Sequence, residues 1–365
     1  MMLTEAAADM DHIDKVIVLD PTPDCPAAQV GAAQIVGNFD DADAIRKLAS
    51  ESDIITYEIE SGNSNTLESL TDSVEINPSP GTLRIIQDKL SQKQFLREHD
   101  LPVPDFVEVS TKDDIKKGAE CFGYPVLLKA RTGGYDGRGN RVIHGTDDID
   151  DALKGLAGPP LMLEKFVPYV MEISVIVARN TAGDIAAYPA VENIHHANIL
   201  RQTISPARIS SRLAKKAGQI AMETIRVLQG AGVFGIEMFL LRDDTILINE
   251  IAPRVHNSGH HTLESCKTSQ FRQHLLAILG QKLEDTTPQS MAIMYNILGP
   301  EDYTGPYRPP PVSHHSAVLK MYGKHISKPL RKLGHLNLIA KHEQGIDDLL
   351  TILDTIKEDT NILHG

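Results

Sequence analysis

The sequence lacks the features that mark several common protein classes. Its 365 residues include three cysteines, Cys25, Cys121 and Cys266, without CxxC spacing, which argues against a disulfide framework or a cysteine metal site. We interpret all three as buried, inert thiols. No segment approaches the roughly 20 apolar residues of a membrane span, and the first residues lack the layout of a signal peptide. These absences predict a cytoplasmic protein with no membrane partner.

The sequence also has fewer basic than acidic residues. The chain has 36 Lys and Arg against 49 Asp and Glu, a net charge of −13, which argues against a nucleic-acid partner because phosphate neutralisation needs a basic face. Hydrophobic residues at 41% and charged residues at 23% are typical of a folded globular protein. The sequence shows no internal repeat, and its length suits two or three domains.

The secondary-structure pattern changes along the chain. Up to about residue 80 it alternates strand and helix, including a helix capped by Asp40, which is typical of a parallel α/β sheet. A single helix is predicted over 83–99, with Lys89 in its middle. Beyond it, several strands with few helices indicate an α+β unit with an antiparallel sheet. We therefore predict an α/β and α+β protein whose units span 1–88, 89–287 and 288–365.

The chain is organised around a predicted hairpin between residues 232 and 261. Two apolar runs, 233–241 and 246–251, are separated by Asp243 and Asp244, which we interpret as a two-residue turn. That turn pairs Arg242 with Thr245, and the register then places Glu237 directly opposite Glu250.

Facing carboxylates destabilise a hairpin unless something compensates their charge. A hard divalent cation is one candidate, since Mg²⁺ is usually held by one or two carboxylates while substrate phosphates complete its octahedron. Asn249, beside Glu250, offers a further oxygen. An acid pair at a wet sheet edge is the alternative interpretation.

Other segments are candidates for anionic ligands. The glycine-rich loop from Arg131 to Gly139 follows Lys129 and suits either a phosphate cradle or a plain hairpin. The segment 163–167 leaves a strand with backbone groups free to bond a purine edge. Acidic residues from Glu58 to Glu60 follow a strand at the end where open α/β sheets bind ligands. Basic side chains cluster in two further places: Arg254 with His256, and Lys324, Lys328, Arg331 and Lys332.

These motifs together resemble a known superfamily. Lys89, Lys129, the loop YDGRG, the segment EKFV at 164–167, Glu237 and the string NEIAPRVHNSGHH resemble the ATP-grasp superfamily. Within it, NEIAPRVHNSGH, YDGRGN and TSQF at 268–271 resemble N5-carboxyaminoimidazole ribonucleotide synthetases of purine biosynthesis.

The resemblance implies an architecture and an assembly. It implies an ATP-grasp fold preceded by an incomplete Rossmann-like N-terminal domain and followed by a small C-terminal α/β domain. The family's first strand and glycine-rich turn have no counterpart before Met1, which predicts either an impaired synthetase or a misassigned start within a longer natural chain. The resemblance further implies a homodimer and, since the likeness is to the fungal type, a mutase domain or partner supplied elsewhere.

The implied reaction is the ATP- and bicarbonate-dependent carboxylation of 5-aminoimidazole ribonucleotide through carboxyphosphate, with Mg²⁺ or Mn²⁺. The resemblance also implies a role for each matched residue. ATP would contact Lys89, Lys129, Tyr135, Gly137, Gly139, Glu164, Lys165, Phe166, Val167, Glu172, His195, Asn249 and Glu250. The metal would be held by Glu237 and Glu250. Catalysis would use Asp136, Arg138, Arg254, His256 and Lys324. The ribonucleotide would contact Glu58, Tyr135, Asp136, Lys324, Arg331 and Lys332.

Two alternatives stay open from the sequence. Another ATP-grasp ligase, such as a formate-dependent glycinamide ribonucleotide transformylase, would share the ATP residues but differ in the RVHNSGH segment. A catalytically impaired nucleotide-binding fragment would agree with the missing first strand, although the metal and phosphate residues oppose it.

Overall fold

The N-terminal part alternates helices and strands, as predicted. A computed structural model describes residues 1–133, 139–312 and 314–364. The first elements are α1 (Met2–Ala8), β1 (Ile17–Asp20), β2 (Ala33–Val36), α2 (Ala42–Ser50), β3 (Ile54–Ile55), α3 (Ser64–Glu68) and β4 (Glu75–Ile76). Strands β1 and β2 pair in parallel, as do β3 and β4, so the described strands form two separate parallel pairs. Helix α2 is capped by Asp41, whose carboxylate accepts the N–H groups of Asp43 and Ala44, so the predicted cap at Asp40 was wrong by one residue.

The single helix predicted over 83–99 is wrong. The chain instead forms α4 (Pro80–Gln87) and α5 (Lys89–Glu98), separated by Asp88 in an extended conformation. The Asp88 carboxylate accepts the N–H groups of Leu90 and Ser91 and so begins a new helix. Lys89 is therefore the first residue of α5, not a mid-helix residue.

A four-stranded antiparallel sheet follows. Its region contains β5 (Phe106–Val109), α6 (Lys112–Phe122), β6 (Val126–Ala130), β7 (Asn140–Ile143), α7 (Ile149–Gly155) and β8 (Leu161–Lys165). The strand order is β5-β8-β6-β7. Ile115 of α6 and Ile149 of α7 are buried against Leu128 and Leu163 of the sheet, which fixes both helices on one core.

A nine-stranded antiparallel sheet forms the largest part of the fold. Its region contains β9 (Met171–Arg179), β10 (Ile185–Ala187), β11 (Val191–His196), β12 (Ile199–Ser205), α8 (Ser211–Leu228), β13 (Gly232–Leu240), β14 (Ile246–Ala252), α9 (Thr262–Ser265) and α10 (Gln270–Ile278). The strands run β14-β13-β9-β11-β12 and continue into the C-terminal part, with β10 paired to β9. Ala217, Ala221 and Ile225, spaced by four residues on α8, are fully buried against this sheet.

Three of the C-terminal strands extend the same sheet, while two others pair with each other. This part contains β15 (Ala292–Leu298), β16 (Tyr307–Arg308), β17 (Ala317–Met321), β18 (Lys332–Ile339), α11 (Ile346–Ile356) and β19 (Leu363–His364). Strand β15 pairs with β12 on one side and β18 on the other, β17 pairs with β18, and β16 pairs with β19. Leu349 and Leu353 of α11 pack on Ile293 and Leu336 of these strands. Lys332, a member of the predicted basic cluster, is the first residue of β18.

The predictions about membrane spans and about the cysteines can be compared with the structure. Within the described ranges, no helix combines the length and apolarity needed to cross a bilayer. Cys25 and Cys266 are buried, but Cys121 is exposed, so the interpretation of all three thiols as buried was wrong for Cys121.

Candidate functional site

The hairpin of β13 and β14 places Glu237 opposite Glu250, as predicted, but through a different turn. The Leu241 N–H donates to the Thr245 carbonyl at 2.9 Å, so the loop has three residues and the predicted pairing of Arg242 with Thr245 was wrong. A bulge between Glu237 and Met238 then moves the register by one residue. The bulge leaves Asn249 as the extra residue of β14 and restores Glu237 to its place opposite Glu250.

Each of the two facing carboxylates has a neighbour that can donate a hydrogen bond to it. Lys89 Nζ lies 2.5 Å from Glu250 Oε1, and His256 Nε2 lies 3.2 Å from Glu237 Oε1. Burial alone would raise the pKa of Glu237, but the His256 hydrogen bond and the electrostatic influence of His256, His195 and Lys332 lower it to about 2. Glu237 is therefore ionised, ready to bind a cation.

A buried ion cluster lies beside this pair. Glu164 Oε1 contacts Lys129 Nζ and Glu164 Oε2 contacts Lys93 Nζ, both at 2.9 Å. Burial opposes ionisation of Glu164, but the two ammonium groups lower its pKa to about 2. The Glu164 side chain is thus occupied by lysines, so any adenine contact from this position would come from neighbouring backbone groups.

Lys93 is a charged residue that the sequence analysis missed. Its ammonium is almost completely buried and also donates to the carbonyls of Ile248 and Asn249 at 3.4 and 3.2 Å. It follows Lys89 by four residues on α5, so helical spacing places both lysines on one face. The four-residue spacing from Lys89 was the sequence signal that could have identified Lys93.

The segment that was predicted to bond a purine edge begins in β8 and continues past the end of that strand. The Lys165 N–H is bonded to the Asp105 carbonyl at 2.8 Å, whereas Phe166 and Val167 lie beyond the strand. Phe166 is exposed, and the Val167 carbonyl accepts the N–H of Tyr169 at 2.9 Å. Backbone groups at this edge are therefore the candidates for hydrogen bonds to a base.

The β11–β12 hairpin, which the sequence analysis did not predict, positions His195. Its Nδ1 lies 2.6 Å from Glu172 Oε2 of β9. Burial lowers the pKa of His195, but Glu172 outweighs it and the pKa is raised. The hairpin turns at Ala197 and Asn198, both with positive φ, and asparagine in such a turn was a signal for it.

Arg254, two residues after β14, reaches the N-terminal part of the chain. Its Nη2 lies 2.8 Å from Glu60 Oε1, and its Nη1 donates to the Val255 carbonyl. Gln87 holds the acidic loop by donating to the carbonyls of Glu60 and Gly62. Glu58, in the same loop, is exposed.

The second basic cluster lies around the start of β18. Lys324 Nζ donates to the Lys332 carbonyl at 2.7 Å and faces the Tyr322 ring at 5.6 Å. Burial and the charges of Arg331 and Lys332 lower the pKa of Lys324 to about 8. Arg331 donates to the Ile326 carbonyl. These like charges favour an anionic ligand, because an anion would relieve their repulsion.

Only part of the glycine-rich loop can be placed. Tyr135, Asp136, Gly137 and Arg138 lie outside the described residues. At its start, Arg131 is held by Asp88 and Glu108, and at its end the Gly139 carbonyl accepts the Ala130 N–H.

The donors at the hairpin suit a hard cation that shares its ligands with a phosphate. Across the described residues, no group of three or more His, Cys, Asp and Glu side chains is arranged to hold a metal ion. Glu237, Glu250 and the Asn249 amide offer oxygen atoms, which are the ligands of Mg²⁺ or Mn²⁺. These residues therefore fit such an ion if a nucleotide supplies further oxygens.

Models of three protein families match successive parts of the chain. They are the ribonucleotide synthetase preATP-grasp domain over 1–87, the ATP-grasp domain over 94–271 and the phosphoribosylaminoimidazole carboxylase C-terminal domain over 292–348. The fold is thus the predicted ATP-grasp fold between an N-terminal preATP-grasp domain and a C-terminal domain.

Individual proteins agree with these matches. The N5-carboxyaminoimidazole ribonucleotide synthase of Bacillus subtilis is 38% identical, over 94% of this chain and 89% of that protein. The phosphoribosylaminoimidazole carboxylase of Schizosaccharomyces pombe is 41% identical, over 98% of this chain and 66% of that protein. The crystal structure of an Aspergillus clavatus N5-carboxyaminoimidazole synthase in complex with ADP and 5-aminoimidazole ribonucleotide is 35% identical. It has a TM-score of 0.90, covering 98% of this chain and 95% of that one.

The sheet architecture and the paired acids, with these matches, define an ATP-grasp protein. Within that superfamily, the chain belongs to the family of N5-carboxyaminoimidazole ribonucleotide synthetases. It spans about two thirds of the length of the fungal relatives it matches.

Proposed function

We propose that this protein carboxylates 5-aminoimidazole ribonucleotide on its amino group, using ATP and bicarbonate, in purine biosynthesis. Bicarbonate oxygen attacks the γ-phosphorus of ATP and ADP leaves, giving carboxyphosphate. The substrate amine then attacks the carboxyl carbon, directly or as released CO₂, giving the carbamate, phosphate and a proton. Family membership and the substrate complex of the Aspergillus relative support this reaction.

One observation carries the proposal: the paired acids lie between a set of lysines and a histidine that donates a hydrogen bond. Lys89 contacts Glu250 on one side and His256 contacts Glu237 on the other. Lys129 and Lys93 extend the first set through Glu164. ATP, bicarbonate, carboxyphosphate and the ribonucleotide are all anionic, so charge neutralisation and positioning are the work that this arrangement suits.

The roles of individual residues are proposals from the resemblance, constrained by the contacts. Lys89 and Lys129 bind ATP phosphates, and Glu172 with His195 borders the nucleotide. Glu237 and Glu250, with Asn249 beside them, hold Mg²⁺ or Mn²⁺, which neutralises phosphate charge when bound. Arg254, His256 and Arg138 surround bicarbonate.

On the substrate side, the described contacts support an anion site. Lys324 faces the carboxyl group in transfer, while Arg331 and Lys332 bind the ribose phosphate, consistent with the low pKa of Lys324 among like charges. Asp136 accepts the amine proton, and Tyr135 and Glu58 contact the ribonucleotide.

An ADP-release assay tests the proposal. We expect turnover to require both bicarbonate and 5-aminoimidazole ribonucleotide. Turnover that requires formate and glycinamide ribonucleotide instead would assign the transformylase. No turnover with either set, in protein that still binds ATP, would assign an impaired nucleotide-binding fragment.

The domain boundaries, the assembly and the location of the protein remain predictions, and each needs its own measurement. The boundaries at residues 88 and 287 can be checked by limited proteolysis, and the homodimer by light scattering. The cytoplasmic location and a mutase unit supplied elsewhere also remain predictions.

A further inference from the structure

A buried chain of polar side chains runs from the middle of the large sheet to the paired acids. It crosses β12, β11 and β9, continues through the segment after β14, and ends on β13. Its members, in order, are Thr203, Asn193, Ser174, Ser258, His256 and Glu237. Thr203, Ser174 and Ser258 have no exposed surface. Buried polar groups are costly unless bonded, so each of these contacts matters to the fold.

The protons available on these side chains fix which group donates in each hydrogen bond. Thr203 Oγ1 donates to Asn193 Oδ1 at 3.1 Å, so Asn193 presents its amide N–H on the other side and donates to Ser174 Oγ at 2.9 Å. Ser174 then donates its single proton to Ser258 Oγ at 2.8 Å. A hydroxyl has one proton, so the Ser258 proton is left for His256 Nδ1, which lies 2.8 Å away.

A second donor reaches the same ring nitrogen. The backbone N–H of Ser258 donates to His256 Nδ1 at 3.3 Å. A nitrogen that accepts from two donors carries no proton, and the proton of a neutral imidazole is then on Nε2. That nitrogen lies 3.2 Å from Glu237 Oε1.

We propose that Asn193, Ser174 and Ser258 are positioning residues that hold His256 with its proton on Nε2, so that His256 donates to Glu237. His256 then occupies one oxygen of Glu237 and orients the other toward a cation. This assigns His256 a role on the carboxylate, in addition to any contact with an anion, and gives three buried residues a part in the site. The consequence for metal binding rests on the proposed function, but the tautomer does not.

The tautomer can be measured on the unliganded protein. Histidine-selective ¹⁵N labelling distinguishes protonated from unprotonated ring nitrogens, and His256→Gln identifies the His256 signals. At about pH 8, above the ordinary histidine pKa of about 6.5, we expect the proton on Nε2. Protonation of Nδ1 in the wild-type protein would overturn the proposal, whatever the enzyme's activity.

Two substitutions test the chain against a matched control. Ser258→Ala removes the side-chain donor and should give His256 a mixture of tautomers. Asn193→Asp replaces the amide donor with an acceptor. Ser174 would then donate to that carboxylate and Ser258 would donate to Ser174, so His256 Nδ1 would lose the Ser258 hydroxyl as a donor. Ser265→Ala makes the same change at an equally buried serine, beside His261 Nδ1, and should leave the His256 signals unchanged.

Metal dependence supplies the second measurement. Loss of an orienting partner typically weakens metal affinity or activity 10- to 100-fold. We expect Ser258→Ala to raise the Mg²⁺ concentration for half-maximal ADP release by about tenfold or more, with Ser265→Ala close to wild type. Unchanged His256 signals and unchanged Mg²⁺ dependence in Ser258→Ala would show that these hydrogen-bonded side chains have only a structural role. If the wild-type protein releases no ADP, the proposed function fails while the tautomer result still decides this proposal.

Discussion

The ammonium group of Lys93 lies in a buried environment that disfavours its positive charge. Burial and the neighbouring charges of Lys129 and Lys89 outweigh Glu164 and lower its pKa from 10.5 to about 8. Because the folded-state pKa is below the unfolded value, the cost to stability is full below about pH 8 and fades as the pH rises toward 10.5. The difference of 2.5 corresponds to about 3 kcal/mol at neutral pH.

We therefore expect Lys93→Met to change the stability of the fold little while weakening ATP binding. The loss of hydrogen bonds to two carbonyls and of the contact with Glu164, each worth about 1 kcal/mol, offsets most of the gain, so the net change should be less than about 1 kcal/mol. The lost charge should raise the KM for ATP about tenfold, or 1.4 kcal/mol. Urea unfolding and steady-state kinetics measure the two effects, with exposed Lys117→Met as control. A destabilised variant with normal ATP affinity would contradict the assignment.

Glu250 is predicted to matter for catalysis and little for folding. Glu250→Ala removes one of two facing acids, which relieves their repulsion, and Glu250 is exposed enough that its pair with Lys89 adds little stability. We expect ADP release to be abolished while the thermal midpoint changes by less than about 2 °C. Exposed Glu120→Ala is the control. Wild-type turnover at ordinary Mg²⁺ concentration would refute the metal assignment.

At the scale of elements, the β13–β14 hairpin shows how a sequence prediction can reach the right pair through a wrong turn. The turn residues Asp243 and Asp244 were identified, but a two-residue loop was assumed. Asp244 has φ +65°, which suits a three-residue loop ending in a left-handed residue. The bulge at Asn249 cancels the error of one residue, and periodicity alone does not reveal a bulge.

This turn gives a prediction about stability that is separate from catalysis. Asp244→Gly removes the cost of positive φ but loses the ion pair with Arg212, so stability should change by less than about 0.5 kcal/mol. Asp244→Val should destabilise by about 1 to 2 kcal/mol, because a β-branched residue tolerates this conformation poorly. Urea unfolding measures both. ADP release per folded molecule should stay at the wild-type level, and equal stability of the two variants would contradict the turn assignment.

Long periodic elements and the hairpin acids were predictable, whereas contacts between elements were not. Helix α8 and strands β6 and β9 follow from apolar spacing. The break at Asp88 was missed because the apolar pattern continues across it and only the cap marks the new helix. The β11–β12 hairpin was missed because Asn193, Arg201 and Gln202 interrupt its apolar pattern, although Asn193 is buried for a polar reason.

At the scale of the whole molecule, hydrogen bonds to helix α10 join the N-terminal part to the region of the large sheet. Asn77 donates to the Ile278 carbonyl at 3.1 Å, and Thr56 Oγ1 lies 2.8 Å from His274 Nε2. His274 Nδ1 accepts the Val233 N–H at 3.0 Å, so its proton is on Nε2 and donates to Thr56. One neutral histidine thus connects β13, α10 and the segment after β3.

This connection should weaken in mild acid. Burial lowers the pKa of His274 to about 4, below the ordinary value of 6.5. The unfolded chain therefore binds a proton that the folded chain refuses, and the stability present above pH 6.5 is lost as the pH falls toward 4. The difference of 2.5 corresponds to about 3 kcal/mol at pH 4. His274→Asn removes this titration, so its stability deficit relative to wild type at pH 8 should shrink by about 3 kcal/mol at pH 4. Urea unfolding across this range, with exposed His12→Asn as control, measures the change. A deficit that stays constant with pH would show that His274 does not carry the acid sensitivity of this junction.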